Sequence, residues 1–241
     1  MDPARVDVTI FSGGLGTRLG GQARKIPKAL VDVHGKPFLE IVLDQLARQG
    51  LRRFILCTGY LGEQIRSHFS AYGGGEVFFS QEARPLGTAG ALELADTLLK
   101  SERILVANGD SFAPSLDAGS LIQFHEGVGA QATVAVIEAD SRRDGGYVTV
   151  DENRRVMRFS EKEYRAPCYI SAGVYVFERE ILDRIPAGRF LSLEKDLLPS
   201  LPAGVFYGYP CAGSLHDIGT PERLEAFRHY WRENKVIGIG N

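Results

Sequence analysis

Cysteine is scarce in this chain of 241 residues, which contains three, Cys57, Cys168 and Cys211. They are far apart, odd in number and without a Cys-x-x-Cys spacing, so the sequence offers no framework of disulfide bonds. A protein without disulfides is typical of a reducing compartment. We therefore predict free thiols and a cytoplasmic location.

Long apolar runs are missing as well. No segment reaches the length of a membrane span, and the short apolar run near the start is interrupted by Asp7, which predicts no signal peptide. The formal net charge is only -2 and 24% of the residues are charged. With no excess of positive charge, we expect neither a nucleic acid nor a membrane as a partner. Any cations that bind phosphate must therefore be local.

Three common catalytic motifs are absent. The glycine-rich stretch that begins at Ser12 lacks the Gly-Lys-Ser/Thr of a Walker A loop, and Leu19 stands where a dinucleotide fingerprint would place its third glycine. There is no Gly-x-Ser-x-Gly elbow of a serine hydrolase. The histidines outside the His216-Asp217 pair occur singly and lack metal-ligand spacing. These absences argue against a P-loop NTPase, a dinucleotide-dependent oxidoreductase and a metal-dependent phosphohydrolase.

What is present is a regular alternation of strands and helices, with 44% hydrophobic residues to fill a core. This alternation predicts a mostly parallel sheet with right-handed crossovers in the first half. After about Ala130, strands with short connections are expected to extend the same sheet, together with a lid-like region. The predicted strands are Val6–Phe11, Phe54–Thr58, Glu76–Ser80, Ile104–Ala107, Ala132–Ile137, Tyr147–Val150, Val156–Ser160 and Tyr169–Phe177. The predicted helices are Phe38–Gln49, Gly62–Phe69, Thr88–Lys100, Glu178–Arg184, Leu193–Leu198 and Pro221–Trp231.

The glycine-rich loop is the most informative feature of the sequence. It follows a predicted strand and reads Ser12-Gly13-Gly14-Leu15-Gly16-Thr17-Arg18. Glycines allow backbone N–H groups to converge on an anion, because no Cβ blocks the approach. In an α/β protein the loop lies at the carboxyl edge of the sheet, where ligands bind. With Arg18 and Lys28 nearby, the loop is predicted to bind phosphate.

Three other segments contain candidate ligand-binding residues that would suit a phosphate-binding loop. Asp110 follows a strand and could hold Mg²⁺, which prefers one or two carboxylates together with substrate phosphates. Asp217 is a candidate second carboxylate for the same ion. Asn108-Gly109-Asp110 is also a common turn sequence without any function. The segment from Ser80 to Gly90 opens a helix, where the partial positive charge favours an anion, although it could be an ordinary strand-to-helix turn.

Together these patches resemble the sugar-1-phosphate nucleotidyltransferase family. The motifs GGLGTRL, PLGTAGAL, NGD, FSEK, SAGVYVF and DIGTPE occur in the order expected for that family, from about Val6 to Trp231. The resemblance implies a Rossmann-like α/β fold in one domain over residues 1–241. Residues 1–130 would mainly bind the nucleotide, residues 131–231 the sugar phosphate, and 232–241 would form a tail. It also implies an enzyme that converts a sugar 1-phosphate and an NTP to an NDP-sugar and pyrophosphate, with Mg²⁺ as cofactor.

The resemblance assigns roles to individual residues. The implied catalytic residues are Arg18, Lys28 and Asp110, and the implied metal ligands are Asp110 and Asp217. The implied nucleotide-binding residues are Gly13, Gly14, Leu15, Gly16, Thr17, Glu82, Gly87 and Thr88. The implied sugar-phosphate-binding residues are Asn108, Gly146, Glu161, Lys162, Gly173 and Lys195.

Two substrate expectations follow. Glu82 is an acceptor-only group that matches the two donors of guanine, so GTP is the expected nucleotide. The segment GGQARKIPK and the run Ser192–Asp196 resemble the branch that acts on D-glycero-D-manno-heptose 1-phosphate. In that segment, Gly21 and Ala23 replace the Pro and Thr of many family members. Mannose-1-phosphate guanylyltransferase, another NDP-sugar pyrophosphorylase and a non-catalytic sugar-nucleotide sensor stay open as alternatives. So does a homo-oligomer.

Overall fold

The computed structural model describes residues 2–14, 16, 26–139, 145–160 and 168–236. Its strands are β1 (Asp7–Phe11), β2 (Asp32–Val33), β3 (Lys36–Pro37), β4 (Arg53–Thr58), β5 (Glu76–Gln81), β6 (Arg103–Asn108), β7 (Ser111–Phe112), β8 (Ala132–Glu138), β9 (Tyr147–Val150), β10 (Val156–Ser160), β11 (Tyr169–Glu178), β12 (Phe206–Pro210) and β13 (His216–Asp217). Its α-helices are α1 (Phe38–Arg48), α2 (Gly62–Phe69), α3 (Gly87–Leu94), α4 (Ala118–Val128) and α5 (Pro221–Val236).

The main sheet has nine strands among the described residues, seven of which run in the order β10-β9-β11-β6-β1-β4-β5. Strands β6, β1, β4 and β5 run parallel to one another. Strand β11 joins β6 in the antiparallel direction, and β8 and then β12 extend the sheet from β11. The predicted fold class, a mostly parallel central sheet flanked by helices, is confirmed.

Helices cover both faces of the sheet, because the strands are apolar on both sides. One core cluster joins apolar side chains of α1, α2, α4 and α5 to one face, and it includes Ile10 and Phe227. The other joins α3 and the chain around Leu193 to the opposite face, and it includes Ile55 and Tyr175. None of the helices in the described ranges is long and apolar enough to cross a membrane.

Several predicted boundaries are wrong. The helix expected over Thr88–Lys100 ends at Leu94 and continues only as a 3₁₀ turn, Asp96–Leu98. There Arg179 Nε donates to Asp96 Oδ1 at 2.8 Å and Arg53 Nη2 donates to Leu98 O at 2.8 Å, which turns the chain toward β6. The helices expected at Glu178–Arg184 and Leu193–Leu198 are a 3₁₀ segment, Arg179–Arg184, and a π-helical turn, Leu193–Leu197.

Two elements of five or more residues, α4 and β12, have no counterpart in the prediction, and neither do the two-residue strands β2, β3, β7 and β13. Helix α4 contains Gly119 and Gly127, which lower its helix propensity. It is fixed by its ends, where Asp117 Oδ1 accepts from Ser120 N at 2.9 Å and Gly129 adopts a φ of 62°. Strand β12 reads FYGYP, in which Gly208 and Pro210 are unfavourable for a strand. In addition, α5 extends to Val236, five residues beyond the predicted end at Trp231.

Candidate functional site

The carboxyl ends of four neighbouring strands meet at one edge of the sheet. In the strand register, Phe11 at the end of β1 pairs with Cys57 of β4 and with Asn108 of β6. Thr58 of β4 pairs with Gln81 of β5. The loops that follow these strands therefore lie side by side at the edge where ligands bind in α/β sheets.

Two cavities open at this edge and form one cleft. The larger, of about 640 Å³, is lined by Gly13 and Gly14 of the glycine-rich loop and by Glu82, among other residues. The smaller, of about 260 Å³, is lined by Lys28, Asn108 and Asp110, among other residues. Phe11, Gly14 and Thr88 line both cavities. An elongated ligand could therefore place one end beside Glu82 and the other beside Lys28.

The glycines at the strand ends are required by close packing. A Cβ on Gly13 would lie 3.0 Å from Gly59 N, and a Cβ on Gly59 would lie 2.7 Å from Glu82 Oε1. The three loops after β1, β4 and β5 thus approach each other closely, and the Glu82 carboxylate lies against two glycine backbones. Gly16 has a φ of 61°, a conformation that glycine adopts without strain.

Glu82 is a partly buried acceptor in the larger cavity. Its Oε2 accepts a hydrogen bond from Leu86 N at 2.9 Å, which fixes the side chain against the next turn. Burial raises the pKa of this carboxyl, and the Leu86 amide partly opposes that shift. The remaining lone pairs of the two oxygens are available to ligand donors.

Lys28 and Asp110 form an ion pair in the smaller cavity. Lys28 Nζ lies 2.5 Å from Asp110 Oδ2, and Ser111 Oγ donates to Asp110 Oδ1 at 3.2 Å. The Lys28 side chain is only 12% exposed, whereas that of Asp110 is 40% exposed. Lys28 is placed by the 3₁₀ turn Lys28–Leu30, and Asp110 follows β6. The structure therefore brings these two catalytic candidates together.

Asp217 lies on a backbone segment adjacent to Asp110. Strand β13 pairs antiparallel with β7, so that Asp217 is opposite Ser111, and Ile218 N donates to Asp110 O at 3.1 Å. The Asp217 carboxylate accepts from Arg223 Nη1 at 3.2 Å on both oxygens and from Gly219 N at 2.8 Å.

The donor chemistry around Asp110 is suitable for Mg²⁺. Mg²⁺ prefers one or two carboxylates of the protein, with phosphate oxygens supplying the other ligands. Asp110 and Asp217 offer two carboxylates on adjacent backbone segments. No cluster of three or more His, Cys, Asp or Glu side chains with metal-binding geometry occurs among the described residues.

The chain around Leu191 lies against the start of α3. Leu191 O accepts from Ala89 N at 2.9 Å, and Leu191 N donates to Leu86 O at 2.9 Å. Gly87 has a φ of 71°, and a Cβ there would lie 2.4 Å from Leu191 O. Gly87 lines the larger cavity. It must also be glycine because the backbone of Leu191 leaves no room for a Cβ, a reason that the sequence did not reveal.

Thr88 and Glu194 connect this chain segment to the smaller cavity. Thr88 Oγ1 donates to Glu194 Oε2 at 3.1 Å and accepts from Leu193 N at 2.8 Å. Glu194 lines the smaller cavity, whereas the predicted ligand Lys195 is exposed. The segment forms a π-helical turn rather than the predicted α-helix, and Glu194 is its residue that lines the cavity. Lys195 stays a prediction.

Of the other described sugar-site candidates, Asn108 ends β6, Gly173 lies in β11 and Gly146 directly precedes β9. Gly173 has a φ of 71°, and a Cβ on it would lie 2.7 Å from Asn108 Nδ2, so these two predicted residues are adjacent. Gly146 O accepts from Ser171 N at 2.8 Å, which ties the start of β9 to β11. The predictions for Leu15, Thr17, Arg18, Glu161 and Lys162 lie outside the described residues.

Two exposed aromatic residues that line the larger cavity were not predicted from the sequence. Phe190 and Tyr60 line it and are 70% and 44% exposed. Neither lies in a recognisable motif. An isolated aromatic residue in a loop gives no signal of its own until the fold places it beside a cavity.

Comparison with known proteins yields one family and several relatives. The family model described as nucleotidyl transferase matches residues 8–230. A mannose-1-phosphate guanylyltransferase from Mycobacterium tuberculosis is 36% identical over 225 residues, which are 90% of this chain and 62% of that protein. This chain therefore spans about three fifths of the length of that relative. A D-glycero-alpha-D-manno-heptose 1-phosphate guanylyltransferase from Aneurinibacillus thermoaerophilus is 32% identical over 220 residues, 90% of this chain and 94% of that protein.

Among solved structures, HddC from Yersinia pseudotuberculosis complexed with GMP-PN has a TM-score of 0.83 to this chain at 30% sequence identity. The match covers 94% of this chain and 99% of HddC. The similarity thus extends over nearly the whole of both molecules.

Proposed function

Because this chain belongs to the nucleotidyl transferase family, we propose that it is a sugar-1-phosphate guanylyltransferase, which converts GTP and a sugar 1-phosphate to a GDP-sugar and pyrophosphate. The observation that carries this proposal is the single cleft with an acceptor-only carboxylate, Glu82, at one end and the Lys28–Asp110 pair at the other. A nucleoside triphosphate has the matching polarity, a base at one end and phosphates at the other.

The reaction requires charge neutralisation rather than a general base. A phosphate oxygen of the sugar 1-phosphate is already an anion at neutral pH, and it attacks the α-phosphorus in line with the departing pyrophosphate. The barrier is the repulsion between anions and the charge that develops on the leaving group. Lys28 would stabilise that charge from the smaller cavity, and the glycine-rich loop would orient the triphosphate. We assign the same task to Arg18.

We propose Mg²⁺ as the cofactor, held by Asp110 and Asp217. When bound, the ion would supply Lewis-acid stabilisation of the phosphate oxygens. Their adjacent backbone positions support this assignment. In the described structure each carboxylate is neutralised by a cation of the chain, Lys28 or Arg223.

Guanine is the base that the site favours. Guanine presents two donors on its pairing edge, N1–H and the exocyclic amine, and a carboxylate can accept from both. Glu82 Oε2 already accepts from Leu86 N, but each oxygen has a second lone pair. Uracil and thymine present one donor between two acceptors, and they would leave the carboxylate with an unfavourable contact.

For the sugar, we propose a manno-configured ring, with D-glycero-D-manno-heptose 1-phosphate as first choice. The relative that acts on this heptose phosphate is matched over 94% of its length. Mannose 1-phosphate is the second candidate, supported by the 36% identity to the mycobacterial guanylyltransferase.

We further propose that one domain carries the function, with residues 1–130 mainly binding the nucleotide and 131–231 mainly the sugar phosphate. The residues of the larger cavity support this division, because they all precede residue 100 except Phe190. A cytoplasmic location remains part of the proposal, supported by the three free cysteines.

A screen of pyrophosphate release, with each common NTP against a panel of sugar 1-phosphates, tests the function directly. We expect activity with GTP and a manno-configured sugar phosphate, and loss of activity in excess EDTA. A strong preference for UTP or dTTP would contradict the base assignment. A preference for glucose 1-phosphate would contradict the sugar assignment, and full activity in EDTA would contradict the metal.

Asp110→Asn provides the internal test of the metal site. We expect turnover to fall by orders of magnitude while the fold is retained, because the carboxamide of Asn has a similar shape but carries no negative charge to bind the ion. Asp183→Asn, which alters an exposed carboxylate at another place in the fold, is the matched control and should keep normal turnover. Near-normal activity of Asp110→Asn would exclude its assigned role.

A further inference from the structure

Phe190 is an exposed aromatic side chain on a rigidly held segment. The Phe190 side chain is 70% exposed, whereas its neighbour Leu191 packs against the second core cluster. Leaving so much apolar surface in water is unfavourable by the hydrophobic effect, so a ligand or partner that covers the ring would gain stability. Phe190 and Glu82 both line the larger cavity.

The backbone on both sides of Phe190 is fixed to the turn that carries Glu82. Arg84 Nη2 donates to Gly188 O at 3.1 Å, and Leu191 N donates to Leu86 O at 2.9 Å. Gly90 also lies against this segment, because a Cβ there would meet Arg189 O at 2.4 Å. The position of Phe190 is therefore set relative to Glu82 before any ligand binds.

A flat heterocycle is the ligand chemistry that satisfies both features. Glu82 supplies acceptors for in-plane donors of a base, and an aromatic ring supplies a surface for its π face. Such stacking is tolerant of base identity, because every base has a π face. A preformed aromatic surface also loses little conformational entropy on binding.

We propose that Phe190 packs on the nucleobase of the bound nucleotide and so contributes to its affinity, while Glu82 recognises its edge. This inference rests on the proposed function for the presence of a nucleotide, but not for the identity of the base. Phe190 belongs to the second half of the chain, so the base is enclosed by residues from both halves.

The test is nucleotide affinity, measured by isothermal titration with GTP, in wild type and in Phe190→Ala. We expect affinity for GTP to fall roughly 5- to 150-fold, the range found when a stacking aromatic is truncated. Phe190→Tyr should retain near-wild-type affinity, since it keeps the ring. Met157→Ala is the matched control, because Met157 is also 70% exposed and lies on β10, and it should leave affinity unchanged.

A second measurement separates stacking from a structural effect. In Phe190→Trp, nucleotide binding should change the fluorescence of the new indole, whereas the same change should be absent in a Met157→Trp protein. Unchanged GTP affinity in Phe190→Ala, with or without a change in oligomeric state by light scattering, would overturn the inference. The proposed function would survive if pyrophosphate release from GTP persisted.

The reverse outcome is equally distinct. If wild type prefers another NTP and Phe190→Ala weakens binding of that NTP, stacking is supported and only the guanine assignment fails. If wild type binds no NTP, the proposed function and this inference both fail.

Discussion

At the scale of single residues, the site depends on contacts between side chains that are distant in sequence. Lys28 and Asp110 are separated by 82 positions, yet Nζ and Oδ2 lie 2.5 Å apart. The contact exists because a turn after the glycine-rich loop faces the end of β6.

Replacing Lys28 by Ala should lower kcat more than it weakens GTP binding. In the proposed mechanism the Lys28 charge stabilises the negative charge that builds up on pyrophosphate, and removing one such stabilising group costs on the order of 10²- to 10³-fold. Steady-state kinetics with separate titration of GTP checks this. Lys100→Ala, which removes an exposed lysine, should behave as wild type. An effect confined to KM would reduce Lys28 to a binding contact.

Glu82→Gln should reduce the preference for GTP by on the order of 1–3 kcal/mol, since an amide N–H would face guanine donors. The ratio of kcat/KM for GTP to that for UTP measures it. Gln81 also lines the larger cavity and is the natural comparison. Loss of base selection in Gln81→Ala, with Glu82→Gln unaffected, would transfer the role to Gln81.

At the scale of elements, the start of α3 is a junction between the two cavities. Its first amides are bonded to Leu191 O rather than left open, with Ala89 N at 2.9 Å and Gly90 N at 3.3 Å. A helix end with unpaired donors would need another partner. The segment from Arg189 to Leu193 therefore caps α3 and at the same time borders the ligand cleft.

Gly87→Ala should destabilise this junction. The added Cβ would meet Leu191 O at 2.4 Å, and φ is 71°. A strained left-handed residue alone costs on the order of 1–3 kcal/mol. Urea unfolding should show a lower free energy of unfolding. Gly73→Ala is the control, because a Cβ there meets nothing within 4 Å. Equal stability of both variants would contradict the backbone packing described.

Hydrophobic periodicity and turn residues were enough to predict those helices and strands whose local sequence favours the observed conformation. The helix over Gly62–Phe69 and the strands Tyr147–Val150 and Val156–Ser160 match the prediction residue for residue. Helix α4 and strand β12 were missed because tertiary contacts overrule their glycines and proline. In the site, Lys28 and Asp110 could be predicted because they belong to sequence motifs. Phe190 could not, because it reaches the cavity only through the hydrogen bonds of Leu191 to the start of α3.

At the scale of the whole molecule, the free energy of unfolding depends on the protonation of a buried histidine between α4 and β8. His125 is fully buried, its Nδ1 lies 2.8 Å from Thr133 Oγ1, and Nε2 lies 3.4 Å from Glu178 Oε1. Burial, and secondly the charge of Arg103, lower the pKa of His125 from 6.5 to about 4. The folded protein therefore keeps this imidazole neutral where the unfolded chain protonates it.

The sign of the resulting pH dependence follows from linkage. The unfolded state binds the proton first, so stability is full above pH 6.5 and falls as the pH is lowered toward 4. The slope from this group is at most about 1.4 kcal/mol per pH unit. Urea unfolding over this range should show a shallower fall in His125→Asn than in wild type. His229→Asn, an exposed histidine, should not change the slope, and parallel curves for all three proteins would exclude His125.

The central position of β1 has a consequence for synthesis of the protein. This first strand lies between β4 and β6, so its two partners are residues 53–58 and 103–108. As the chain leaves the ribosome, both long edges of β1 stay open until those residues follow. The centre of the sheet therefore forms by pairing of strands that are distant in sequence, and such pairing slows folding. A nascent chain stalled before β6 would expose an apolar strand edge and offer a binding site to chaperones.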